Sequence, residues 1–128
     1  MQFTMKENSF KTEVEFGELQ ISGDEQHGFR PYQLLVSSIA VCSGGVLRKV
    51  LEKKRVSFSD ISISADVTRN DQGAKEVQKI ALHFVITGQG LTESKIEKAL
   101  AVTRKNCSMV QSVKDSIEVT ESFELIEE

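Results

Sequence analysis

Pro31-Tyr32-Gln33-Leu34-Leu35-Val36-Ser37-Ser38-Ile39-Ala40-Val41-Cys42-Ser43-Gly44-Gly45-Val46-Leu47 is the longest stretch of the chain without a charged side chain. Proline has a fixed φ and no N–H, which suits the first turn of a helix, so a helix is predicted to begin at Pro31. Apolar residues at 34, 35, 36, 39, 42, 46, 47, 50 and 51 recur at helical spacing. Their stripe is so broad that little of the circumference before Arg48 is polar, and such a helix is expected to be buried on most sides. The run falls short of the roughly 20 apolar residues that a membrane helix needs, and it contains Ser37, Ser38, Ser43, Gly44 and Gly45. It therefore reads as a core helix rather than a span. Arg48, Lys49, Lys53, Lys54 and Arg55 complement the negative end of the helix dipole, and the helix is predicted to stop near Arg55.

Upstream, Phe3 and Met5, then Phe10, Thr12, Val14 and Phe16, then Leu19 and Ile21 alternate with polar residues in three short runs, which predict three short antiparallel strands. Gly23 to Arg30 is a polar loop. Downstream, Ile61, Ile63, Ala65 and Val67 predict a half-buried strand, Asn70-Asp71-Gln72-Gly73 a turn, and Ile80, Leu82, Phe84 and Ile86 the second strand of a hairpin. Thr92 is placed to cap a further helix with Glu93 in its first turn. On that helix Ile96, Ala99, Leu100, Thr103 and Cys107 form the inward stripe. Ile117, Val119 and Phe123 close the chain as a strand. The order β-β-β-α-β-β-α-β, with no repeated βαβ unit, is that of an α+β fold.

The 128 residues fit a single domain, 1-128, with 39% apolar and 27% charged residues, one Pro and eight Gly. A net charge of −3 with basic and acidic residues interspersed excludes a nucleic-acid footprint. The N-terminus lacks the pattern of a secretory signal, so the expected location is cytoplasmic, with no membrane partner. Cys42 and Cys107 have no CxxC companions, which argues against a zinc site and a disulfide framework alike. They are either core residues or reagents. Neither His27, in a polar loop, nor His83, at an alternating strand position facing out or an interface, supports a metal site; no cofactor is expected. Gly44-Gly45 reads as a place where helix backbones cross, and Glu13 and Glu15 as exposed strand residues.

The wording around both cysteines adds to this. The segment from Gly28-Phe29-Arg30-Pro31 to Cys42 resembles the signature of the OsmC/Ohr family, the osmotically inducible and organic hydroperoxide resistance proteins, in which a Gly-x-x-Pro stretch leads into a Leu-rich helix and its cysteine. Cys107-Ser108-Met109-Val110-Gln111-Ser112-Val113 resembles the family's second motif, usually Cys-Pro-Val-Ser. The resemblance implies antiparallel sheets around long central helices in an intertwined homodimer, with two equivalent sites near the subunit interface. It also implies thiol peroxidase chemistry: Cys42 would attack an organic hydroperoxide, Cys107 would trap the sulfenic acid as a disulfide, and an external dithiol would reset the pair. Leu35, Ile39, Val46 and phenylalanines would form an apolar vestibule.

The chain departs from the family pattern at Ser108, which stands where the second motif has Pro, and in two further places. Members with peroxidase activity carry a Glu one or two positions after the helix-opening Pro and an Arg in the N-terminal strands. Here Tyr32 and Gln33 stand at the first positions, and no Arg precedes Arg30. Arg30, Tyr32 and Gln33 are therefore the candidates for the supporting role. The competing reading is an OsmC-like dimer that binds a small apolar molecule with its thiols inert.

Overall fold

Pro31 opens the long helix as expected. The Arg30 carbonyl accepts the N–H groups of Gln33 and Leu34, each at 3.1 Å, and the donor that proline lacks is one the first turn leaves unsatisfied. In the computed structural model, which describes residues 1–128, helix α1 spans Pro31–Lys53. It closes where the Val56 N–H returns to the Leu51 carbonyl at 3.0 Å and Arg55 adopts a left-handed conformation, φ 55°. Glycine usually occupies that position.

Burial on α1 corrects the expectation drawn from its composition. Only the strip Ile39, Ser43, Leu47 and Leu51, one residue per turn, is buried, and Val41 is 69% exposed. The apolar stripe is broader than one chain covers. Length and composition alone would let α1 cross a membrane; its buried strip is that of a helix lying on protein. Within this chain Gly44 lies against a strand side chain. A Cβ there would run into the Ile63 side chain, whereas one on Gly45 would meet nothing within 4 Å, so the glycine pair does not mark a helix crossing within this chain.

The chain forms two compact units, Met1–Ser37 and Ser38–Glu128. In the first, β1 (Thr4–Met5), β2 (Phe10–Glu13) and β3 (Glu18–Ile21) make an antiparallel sheet in that order. β2 ends earlier than the alternation through Phe16 predicts, because Val14 and Gly17 exchange backbone hydrogen bonds of 3.0 and 3.1 Å and close the hairpin. Phe16 is left fully exposed at its tip. The loop after β3 folds back through Phe29, whose N–H reaches the Gln20 carbonyl at 2.9 Å; any Cβ on Gly28 would lie 2.7 Å from that same oxygen.

In the second unit β4 (Ser57–Arg69) and β5 (Val77–Gln89) form the expected hairpin, with Gly73 at φ 62° in its turn. Two helices follow, α2 (Glu93–Asn106) and α3 (Ser108–Val113), before β6 (Glu118–Glu127). Thr92 caps α2, its hydroxyl accepting the Lys95 N–H at 3.3 Å. β6 pairs with β5 in parallel, from Lys79 opposite Glu118 to Gly88 opposite Glu127, so the second sheet is mixed rather than antiparallel. The cause is the crossover: α2 and α3 return the chain to the end of the sheet where β5 began. Ile80, Leu82, Phe84 and Ile86 from β5 join Ile96, Ala99, Leu100 and Thr103 from α2 and the α1 strip in the core of this unit. The fold is α+β, with one more short helix than expected.

Candidate functional site at the two thiols

Cys107 does not continue α2 as the inward stripe suggested. It stands between two helices with extended backbone (φ −81°, ψ 108°), the C-cap of one and the N-cap of the next. Its own N–H still closes on the Thr103 carbonyl at 2.8 Å, but its side chain gives α3 no capping bond. The break frees the first N–H groups of α3, which lack partners inside any helix, and a sulfur lying there can accept them. Cys107 is fully buried and Cys42 half-buried.

Cys42 is the sulfur that occupies this position. Its Sγ lies 3.7 Å from the Ser108 hydroxyl. The Met109 backbone N–H, more than any other group, holds the Cys42 thiol below its ordinary pKa; Cys107, the Ser108 hydroxyl and the Ser108 N–H act in the same direction and outweigh partial burial. Cys107 is pushed the opposite way. Burial raises its pKa, the Val110 N–H offsets part of that, and the adjacent Cys42 sulfur raises it again. Two titratable groups whose surroundings separate their acidities are suited to separate roles: Cys42 is the more readily ionised thiol of the pair and Cys107 the less.

The other candidates lie in the N-terminal unit. Arg30 Nη2 donates to the Tyr32 hydroxyl at 2.7 Å, with the guanidinium 4.9 Å from the ring centroid, and Gln33 is exposed on the first turn of α1. The structure thus pairs Arg30 with Tyr32, and brings Cys42 to Cys107 and Ser108. Ser108 and the Met109 amide are neighbours of the Cys42 sulfur that the sequence reading did not assign; the only hint was that serine is able to open a helical turn.

The expected vestibule is altered as well. Ile39, 1% exposed, is in the core and unavailable to a ligand. Val46 instead lines a cleft of about 410 Å³ with Val50 and Val102, rimmed by Lys49, Lys53, Lys54 and Asn106. Val46 follows Cys42 by one helical turn and so shares its face of α1. His83 faces outward, its Nδ1 2.7 Å from the Ser122 hydroxyl, and no group of three or more His, Cys, Asp or Glu side chains is placed to hold a metal ion.

Residues 23–122 match the family profile described as OsmC-like protein. The chain belongs to the OsmC family. Among relatives of this OsmC-like chain is protein YhfA of Escherichia coli K12, 24% identical over 106 residues that cover 82% of this chain and 78% of YhfA. A hypothetical protein of Aquifex aeolicus VF5 superposes with a TM-score of 0.87 at 27% identity, covering 99% of this chain and 95% of the other. An organic hydroperoxide resistance protein OsmC from Legionella pneumophila superposes with a TM-score of 0.72 at 21% identity, covering 96% of each chain. At that identity the likeness to the Legionella protein is one of fold.

Proposed function

We propose that this OsmC-like chain reduces organic hydroperoxides through the Cys42–Cys107 pair. The observation that carries the reading is the placing of Cys42 against the start of α3, where backbone N–H groups favour its thiolate beside a buried Cys107 whose own ionisation burial disfavours. The Cys42 thiolate attacks the distal peroxide oxygen; the O–O bond breaks, the leaving alkoxide takes a proton to become an alcohol, and Cys42 becomes a sulfenic acid. Cys107 then attacks that sulfur as its thiol proton leaves with the hydroxyl as water, forming a disulfide. An external dithiol takes over the disulfide by exchange and restores both thiols. The description of the Legionella relative as a hydroperoxide resistance protein supports this reading.

The working form is a homodimer. In the N-terminal unit Phe3, Met5, Phe10, Phe16 and Phe29 are each at least half exposed, and α1 leaves Val41 uncovered, apolar side chains suited to an interface. A second copy supplies the cover.

The cleft beside Val46, Val50 and Val102 favours a second reading, a dimer that holds a small apolar molecule without reacting. Consumption of cumene hydroperoxide in the presence of dithiothreitol separates the two. Wild type is expected to turn over, Cys42→Ser to be inactive, and Cys107→Ser to accumulate sulfenic or over-oxidised Cys42. Equal rates for wild type and Cys42→Ser would leave the binding reading.

A further inference from the structure

The corner at Cys107 is held by residues outside the thiol pair. Gln111, exposed on α3, donates from Nε2 to the Arg104 carbonyl in the last turn of α2 at 2.9 Å, and its backbone N–H closes on the Cys107 carbonyl at 3.0 Å. Arg104 donates through Nε and Nη2, at 2.9 and 2.7 Å, to one carboxylate oxygen of Glu121 on β6. The Glu121 side chain is only 3% exposed, and its other oxygen is buried without a partner. A buried carboxylate with an unsatisfied oxygen is costly. An apolar residue would serve packing better there, so the pair calls for another explanation.

We propose that Gln111, Arg104 and Glu121 are positioning residues that fix the angle between α2 and α3 and so keep the start of α3 against the Cys42 sulfur. The inference rests on the thiol reading above and deepens it. The Cys107 side chain caps neither helix, and its extended backbone separates the two. A six-residue helix does not hold itself in place. The Gln111 side chain ties α3 to α2, and Arg104 ties α2 to the sheet. At 3.7 Å the contact between the Cys42 sulfur and the Ser108 hydroxyl is already long, and a small swing of α3 breaks it.

The test is the pH dependence of iodoacetamide labelling of the reduced protein, with Cys42 followed by peptide mass. Gln111→Leu and Glu121→Gln are each expected to move the Cys42 midpoint upward by about half a pH unit, which is roughly threefold less thiolate at neutral pH. Gln111 is exposed, so Gln111→Leu carries the test if Glu121→Gln fails to fold. A Gln111→Leu protein that melts earlier yet titrates like wild type would make the clamp merely structural and overturn the proposal. A wild-type midpoint no lower than that of an ordinary thiol would sink the thiol reading itself, and the proposal with it.

Discussion

Ser108 shows how one position reconciles this chain with its family. The family's second motif has proline after the cysteine, and the structure places Ser108 as the first residue of α3, where proline and serine are both accommodated. Ser108→Pro should therefore preserve α3 while removing two groups, the hydroxyl and the N–H, that lower the Cys42 pKa. The expected result is a higher midpoint for Cys42 alkylation with an unchanged circular dichroism spectrum. The shifts also act on stability, with opposite signs for the two thiols. The depressed Cys42 value stabilises the fold above the pKa of an unfolded thiol, and that contribution is lost as pH falls through the folded value. The raised Cys107 value stabilises below the unfolded pKa and is lost as pH rises through the folded one. In urea denaturation under reducing conditions, the advantage of wild type over Cys42→Ser should therefore widen from about pH 6 to about pH 9. Both cysteines were legible in the sequence as a candidate pair. The Met109 amide was not, because a backbone N–H has no letter of its own.

The helices and strands followed from local chemistry wherever that chemistry acts alone. Pro31 begins α1 and Thr92 caps α2, as proline geometry and hydroxyl capping require. The break at Cys107 was hidden, since the stripe Ile96, Ala99, Leu100, Thr103 continues through it in helical step; the extended backbone of Cys107 marks the bend, and the ties of Gln111 and Arg104 to their neighbours span it. At the end of α1, Arg55 occupies a left-handed position with a side chain that disfavours it. Arg55→Gly is expected to raise stability by about 1 kcal/mol, read from the urea midpoint. Gly88 is the opposite case. Its Cβ would collide with the Ser57 carbonyl oxygen and lie 2.8 Å from the Phe58 Cα, so Gly88→Ala should push β4 away from β5 and cost on the order of 2 kcal/mol or more in the same assay.

For the whole molecule, the sequence showed the breadth of the α1 stripe and, through the family resemblance, implied a homodimer. It could not say which face stays open, because that depends on where the sheet lies, and the parallel entry of β6 is likewise set by a crossover rather than by any residue in the strand. The proposed dimer would cover the open surface, and Val41→Asp should shift the sedimentation coefficient from that of a dimer towards that of a monomer. The central claim is that the two thiols form one redox couple. Stopped-flow consumption of cumene hydroperoxide by the prereduced protein, with free thiols counted before and after, tests it most directly. The account requires that both Cys42 and Cys107 be lost from each chain for every molecule of peroxide reduced. Peroxide left unconsumed, with both thiols still titratable, would contradict it.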